Sequence, residues 1–289
     1  MSEHRESHSK IEIEPRADGF GARITGLRLA DPLSKKSADL IREAWARYGV
    51  LVFPDQPLEL EELEALTLSL GEFGTDPFIE PMAEHPHVLE LRREPDEKAG
   101  NFGAGWHSDW SFQAHPPAGT LLHSKVVPPQ GGDTLYADTH RAWEALSETM
   151  QSMLEGLRAV HSAALPYGPK GVFANDTEHR TMKILVSEDA EQTQTHPLVR
   201  THPVTGRKAL FVNPVYTVAI EGLTPAENFT ILKFLYDHMT QDAFVYRHQW
   251  EPSMLVLWDN RSTMHFATGG YDGYLRVMHR TTLAGDRPV

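Results

Sequence analysis

Short apolar segments separated by turn residues dominate this chain from about residue 88 onward, and they limit the folds open to it. The segments include VLEL, TLLHSKVV, TLYA, KALFVN, FVYRHQW, MLVLWD and LRVMHRTTLAG. Runs of about four to eight residues bounded by turns are typical of strands in sandwiches and barrels. We therefore predict a mainly β protein, a β-sandwich or jelly roll, with helices inserted on its outside.

Amphipathic patterns with capping residues predict the inserted helices. The helical segments are residues 37–49, 58–71, 139–157 and 224–239. The third reads as two short helices, the second capped by Ser147, and the fourth begins with a capping box of Thr224 and Glu227. Residues 163–196 are polar and irregular, which predicts a long loop or lid.

The composition limits the classes of binding partner and the types of side chain that could bind a metal. The net charge of −13 and the absence of a basic run argue against nucleic acid and anionic membranes. No apolar run approaches the roughly 18 residues of a transmembrane helix. The polar residues 1–10 predict a flexible N-terminus, and we expect a cytoplasmic protein. With no cysteine, any metal must be bound by His, Asp, Glu or backbone oxygen.

A candidate metal site begins in the segment GWHSDWSF. On a strand, His107 and Asp109 would share one face about 7 Å apart. A distant third ligand, His265 in LWDNRSTMHFA, would complete a 2-His-1-carboxylate set, which leaves open positions on Fe(II). The alternative is an ordinary histidine beside a solvated aspartate.

Two arginines follow the third candidate ligand. Arg276 and Arg280 lie four residues apart in YLRVMHRTT, so on a strand both side chains point to one face. Arginine is suited to bidentate recognition of carboxylates. The alternative is a pair of exposed arginines on a surface strand.

Four motifs together closely resemble the Fe(II)- and 2-oxoglutarate-dependent taurine dioxygenase family. They are WHSDWSF, PPQGGDTLYAD, LWDNRSTMHFA and RVMHRTTLAGDRP, and the resemblance covers residues 11–289. That family also holds alkylsulfatases and aryloxyalkanoate dioxygenases. The resemblance implies a cupin-like double-stranded β-helix, the jelly-roll core, in a single domain over 11–289. Length alone leaves one large domain or two small ones open.

The resemblance also implies roles at matching positions. Fe(II) would be held by His107, Asp109 and His265. Thr134 and Arg276 would bind the distal carboxylate of 2-oxoglutarate, and Arg280 would meet an anionic group of a sulfonate, sulfate ester or carboxylate substrate. Reaction with O2 would give succinate, CO2 and a hydroxylated product. Family members often form dimers or tetramers, so we expect a homo-oligomer that acts on a small molecule.

Three further residues are candidates for the substrate pocket. The resemblance places Tyr216 in the pocket wall, although a core tyrosine is the alternative. In DPFIEPM, residues 76–82, either Phe78 or Glu80 stands where taurine enzymes carry a histidine that contacts the sulfonate. Whether Glu80 faces the pocket is left open. Two other functions use the same three ligands: a non-catalytic metal-binding β-barrel and a zinc hydrolase.

Overall fold

The computed structural model describes residues 11–176 and 180–289, so the predicted flexible segment 1–10 lies outside the described residues. The helices are α1 (Lys35–Tyr48), α2 (Leu60–Leu70), α3 (Thr139–Glu144), α4 (Glu148–Leu154), α5 (Ala164–Tyr167) and α6 (Pro225–Met239). The strands are β1 (Glu12–Pro15), β2 (Ala22–Thr25), β3 (Val50–Phe53), β4 (Leu89–Arg93), β5 (Gly119–Val126), β6 (Thr134–Asp138), β7 (Arg158–Ser162), β8 (Thr193–Pro197), β9 (Val199–Thr201), β10 (Lys208–Leu210), β11 (Thr217–Ile220), β12 (Val245–His248), β13 (Leu255–Asp259), β14 (Thr263–Ala267) and β15 (Arg276–Leu283).

Capping side chains mark the N-terminal ends of three helices. The Thr224 side chain accepts from the Glu227 N–H and the Glu227 side chain accepts from the Thr224 N–H, as predicted. Ser147 caps α4. The cap of α1 is Ser34, and the helix begins at Lys35, two residues before the predicted segment 37–49. It ends at Gly49, whose φ of 72° favours glycine.

Two facing sheets form the centre of the molecule. Among the described residues, the larger sheet has seven strands in the order β1-β2-β3-β13-β5-β15-β4, with only β2 and β3 parallel. A smaller antiparallel sheet has the order β12-β6-β14. Alternate side chains of β13 point to opposite faces, so Leu255 and Leu257 pack against α1 and α2 while Val256 and Trp258 pack against Tyr136 of the smaller sheet.

The segment 163–196, predicted as a loop or lid, is partly regular. It contains α5, short 3-10 turns at Val172–Ala174 and Glu188–Glu191, and the first residues of β8. The loop prediction is wrong for residues 193–196, which pair with β7. This strand lies at a sheet edge and its polar sequence TQTHP lacks an apolar alternation. Residues 177–179 lie outside the described part.

Within residues 11–176 and 180–289, no helix is long and apolar enough to cross a membrane.

Candidate active site

The three candidate metal ligands meet between the two facing sheets. His107, Asp109 and His265 are all buried, and one ligand atom from each lies within 4.8 Å of the others. The Nε2 atoms of His107 and His265 lie 3.7 and 3.8 Å from Oδ1 of Asp109. The structure therefore brings the distant His265 next to the H-x-D pair, as the sequence predicts.

The H-x-D segment forms one bridge and a turn rather than a regular strand. His107 makes a single bridge to His265, with N–H···O distances of 3.0 and 2.7 Å in the two directions. The chain then turns at Asp109 and at Trp110, whose φ is +47°. A left-handed residue other than glycine stores strain. The turn, rather than strand alternation, directs Asp109 toward the histidines.

A chain of buried hydrogen bonds orients Asp109. The Thr120 hydroxyl donates to Asp109 Oδ2 over 2.7 Å. Thr120 in turn accepts from Asn260 Nδ2 over 2.9 Å, and Asn260 Oδ1 accepts from Trp258 Nε1 over 3.0 Å. Oδ2 of Asp109 is therefore occupied, while Oδ1 lies toward the two imidazoles.

The protonation states of the three residues suit a cation. Burial lowers the pKa of both imidazoles, that of His265 to about 3. His107 Nδ1 lies 2.6 Å from the Gly105 carbonyl oxygen and donates to it, which leaves Nε2 with a lone pair. Burial alone would raise the pKa of Asp109, but the charge of Arg280 holds it well below its usual range. Two neutral imidazoles and one carboxylate therefore face a common point, a set that fits non-haem Fe(II).

Strand β15 brings both predicted arginines to this centre. Arg276 and Arg280 line one cavity together with His107, His265 and Thr134. Among the described residues, no carboxylate lies within ion-pair distance of Arg276, although the burial of this side chain lowers its pKa. A partly buried cation without an anionic partner is unfavourable, so this position suits an anionic ligand.

The glycines of the GGDT motif shape the wall beside Arg276. Gly131 and Gly132 have φ values of +69° and +72°. A Cβ at Gly131 would lie 2.5 Å from the carbonyl oxygen of Gly270, and one at Gly132 would lie 3.3 Å from Nε of Arg276. Only glycine fits both positions without displacing backbone or the arginine.

Arg280 lies between two carboxylates. Its Nη2 is 3.1 Å from Asp109 Oδ1 and 3.4 Å from Asp76 Oδ1. Asp76 also accepts from the Trp110 indole over 2.6 Å and from the Thr282 hydroxyl over 2.9 Å. Sequence reasoning missed Asp76, because nothing in its local pattern shows that it meets residues 34 and 206 positions away.

The WDNR motif has two separate roles. Asp259 accepts two hydrogen bonds from the Arg261 guanidinium, over 2.9 and 2.6 Å, and lies 3.1 Å from His202 Nε2. These charges are buried and paired, as burial requires. Asn260 faces the other way and supports Asp109 through Thr120. The motif therefore joins a structural ion cluster to the metal centre.

A second cavity of about 220 Å³ adjoins His107. Aromatic and aliphatic side chains form most of its wall: Phe102, Leu165, Pro166, Tyr167, Val172, Phe173, Val215 and Tyr216. The Tyr216 ring lies 6.1 Å from that of His107 at an interplanar angle of 82°. The structure thus places the predicted Tyr216 in the wall of a cavity that reaches a candidate metal ligand.

Phe78 and Glu80 do not line either cavity. Phe78 is buried behind the wall, where it stacks on Tyr167 with ring centroids 5.0 Å apart. The Glu80 side chain is 47% exposed and pairs with Lys183 over 2.9 Å. The structure therefore does not bring Glu80 to the site, because its local backbone is fixed by pairing with the backbone of Lys183 instead.

Comparison with known proteins agrees with this geometry. The family model described as "Taurine catabolism dioxygenase TauD, TfdA family" matches residues 12–282. The chain belongs to this family. It is an α-ketoglutarate-dependent (2-oxoglutarate-dependent) dioxygenase with a metal-binding triad.

Relatives and solved structures extend the match over the length of this dioxygenase. It is 34% identical over 280 residues to a (S)-phenoxypropionate/α-ketoglutarate dioxygenase of Sphingobium herbicidovorans, covering 96% of each chain. A crystal structure of a taurine dioxygenase from Burkholderia xenovorans matches with a TM-score of 0.80 at 31% identity, over 96% of this chain and 92% of that one. A crystal structure of AAD-2 in complex with Mn(II) and N-oxalylglycine matches with a TM-score of 0.76 at 31% identity, over 96% and 99%. The predicted double-stranded β-helix is confirmed.

Proposed function

We propose that this dioxygenase uses Fe(II), 2-oxoglutarate and O2 to hydroxylate a small anionic organic substrate, a sulfonate, sulfate ester or carboxylate, with succinate and CO2 as co-products. One observation carries the proposal. The triad histidines open onto the same cavity as Thr134 and the partly buried Arg276, which has no carboxylate partner among the described residues. A metal and the far end of a dicarboxylate could therefore be held at the two ends of one cavity.

The metal would be held by His107, Asp109 and His265. Fe(II), when bound there, supplies the activation of O2 and the oxidative chemistry. The protein contributes neutral imidazoles, an ionised carboxylate with one oxygen fixed by Thr120, and a buried position that excludes bulk water. AAD-2, a relative with the same fold, binds Mn(II) in its crystal structure.

The co-substrate would be held by Arg276 and Thr134. The guanidinium offers a fork of donors and the hydroxyl adds another, which together match a carboxylate. Thr134 is 3% exposed and Arg276 is partly buried, so the contact would be partly shielded from water. Charge-assisted hydrogen bonds are stronger in such surroundings.

The primary substrate would place its anionic group near Arg280 and its body against Tyr216. Nη2 of Arg280 lies 3.1 Å from Oδ1 of the triad residue Asp109. The second cavity offers an apolar, largely aromatic wall for the remainder of the molecule. Glu80 and Phe78 have no direct role in this proposal, because neither lines the cavity.

Membership in the family argues against the two alternative functions, a non-catalytic metal-binding β-barrel and a zinc hydrolase. Relatives in the family act on different acids, since their names specify phenoxypropionate and taurine. The substrate is therefore proposed only as a class. The single domain, the homo-oligomer and the cytoplasmic location stay predictions.

Succinate release tests the proposal directly. The protein is incubated with Fe(II), ascorbate, O2 and 2-oxoglutarate across a panel of sulfonates, sulfate esters, aryloxyalkanoates and amino acids. Substrate-dependent succinate is expected for at least one anionic compound. Arg276→Ala should mainly raise the KM for 2-oxoglutarate, and Arg280→Ala mainly that for the primary substrate. Arg158→Ala, which removes a half-exposed arginine, is the matched control and should change neither.

Two results would contradict the proposal. Interchanged effects of Arg276→Ala and Arg280→Ala would mean that the two arginines have exchanged roles. Product formation with Zn(II) in the absence of O2 and 2-oxoglutarate would assign the site to hydrolysis.

A further inference from the structure

Thr134 has a hydrogen-bond partner that its proposed role does not use. The indole Nε1 of Trp250 donates to Thr134 Oγ1 over 3.0 Å. Both side chains are buried, at 8% and 3% exposure. An indole N–H can only donate, so Thr134 must be the acceptor in this bond.

The direction of this bond leaves the hydroxyl proton of Thr134 free. Among the described residues, this hydroxyl donates no hydrogen bond; its one side-chain hydrogen bond is the one it accepts from Trp250. Thr134 lines the cavity that Arg276 also lines. An unused O–H donor and a guanidinium whose hydrogen-bond partner is only the Gly132 carbonyl, over 3.5 Å, thus face the same space, which is the arrangement a carboxylate requires.

Trp250 is held in place by the core beneath the cavity. Its ring lies at right angles to that of His248, with centroids 4.8 Å apart. His248 Nδ1 is in turn hydrogen-bonded to the Tyr246 hydroxyl over 2.8 Å. Trp250 also packs in one apolar cluster with Met254 and Met278. The indole N–H therefore has one fixed direction before any ligand enters.

We propose that Trp250 is a positioning residue for 2-oxoglutarate. Its N–H occupies one lone pair of Thr134 and so fixes the hydroxyl as a donor toward the distal carboxylate beside Arg276. Preorganised donors bind more tightly, because less ordering remains for the ligand to impose. This inference rests on the proposed function, since it takes Thr134 and Arg276 as the groups that bind that carboxylate.

Binding measured by calorimetry tests the role of the N–H. Trp250→Phe keeps an aromatic ring and removes the donor. The titrant is 2-oxoglutarate, added to the Mn(II)-loaded protein without O2, so that binding is measured apart from turnover. We expect 2-oxoglutarate to bind about three- to tenfold more weakly, the range of one lost hydrogen bond. Mn(II) affinity should be unchanged.

Two control variants separate the N–H from general damage to the core. Trp250→Met, a second replacement without the donor, should give a similar loss. Phe20→Leu changes a buried residue of the same cluster that lies outside the Trp250, His248 and Tyr246 contacts, and it should leave 2-oxoglutarate binding unchanged. Thermal unfolding identifies any variant that does not fold.

A double-mutant cycle decides whether Trp250 acts through Thr134. Thr134→Val removes both the acceptor and the donor, and Thr134→Ser keeps them. If the inference holds, Trp250→Phe adds no further loss once Thr134 is valine, while Thr134→Ser binds almost normally. Fully additive losses, or no loss in Trp250→Phe alone, would overturn it.

The same titrations distinguish this inference from the proposed function. If Arg276→Ala and Thr134→Val weaken binding of 2-oxoglutarate but Trp250→Phe does not, only the role of Trp250 fails. If Arg276→Ala and Thr134→Val also bind normally, the proposed carboxylate site itself is wrong.

Discussion

Replacing Thr120 by valine tests whether the hydrogen-bond chain behind Asp109 prepares the metal site. Valine has nearly the shape of threonine but cannot donate to Asp109 Oδ2, which accepts from Thr120 over 2.7 Å. Loss of a partner that orients a ligand typically costs about 10- to 100-fold in metal affinity. That range corresponds to about 1.4–2.7 kcal/mol of binding free energy. We expect Mn(II) affinity to fall within it.

The same substitution also lowers stability. Asn260 Nδ2 loses its acceptor, and an unpaired buried amide costs about 1–3 kcal/mol of unfolding free energy. Thr281→Val is the matched control. Its hydroxyl is fully buried and hydrogen-bonded to Thr67 over 2.7 Å, on the helix side of β15. This control should lose stability and keep its Mn(II) affinity.

Calorimetric titration of the metal-free protein with Mn(II) measures both variants, with urea unfolding in parallel. The reasoning would be refuted if Thr120→Val bound Mn(II) as tightly as the unchanged protein while Asp109→Ala lost binding. Asp109 would then be oriented by its turn alone. Equal losses in Thr120→Val and Thr281→Val would instead show a general effect of core damage.

Two further predictions concern stability. A Cβ at Gly131 would lie 2.5 Å from the Gly270 carbonyl oxygen, whereas a Cβ at Gly206, which also has positive φ, meets open space. Gly131→Ala should therefore lower the urea-unfolding free energy more than Gly206→Ala, and equal losses would contradict the close approach. Burial lowers the pKa of His161 to about 3, so below pH 6.5 the unfolded chain binds a proton that the folded chain does not. Stability should therefore fall as pH falls from 6.5, by about 2 kcal/mol at pH 5, and His161→Phe should remove that part of the slope in a pH series of unfolding curves.

Local sequence patterns predicted the parts of the site that depend on spacing. Arg276 and Arg280 share a face because β15 is a regular strand over both positions. The capping box at Thr224 and Glu227 needs only four residues. These features depend on neighbouring positions along the chain, which a single sequence displays directly.

The features of the site that the sequence did not predict depend on contacts between residues far apart in the chain. Thr120 meets Asn260 because β5 pairs with β13 in a register that places Thr120 opposite Trp258. Trp250 reaches Thr134 from 116 residues away. The turn at Trp110, with its positive φ, was not visible in the sequence, because Trp is not a residue type that marks such turns. Tertiary contacts decided each of these positions.

The absorption spectrum recorded without O2 tests the central claim most directly. Fe(II) and 2-oxoglutarate bound together at the triad should give a visible charge-transfer band in the unchanged protein. The band should be absent when Zn(II) replaces Fe(II), and absent in His265→Ala. A protein that binds both Fe(II) and 2-oxoglutarate by calorimetry yet shows no band, or a band of full intensity in His265→Ala, would contradict the assignment of the metal and its co-substrate to this site.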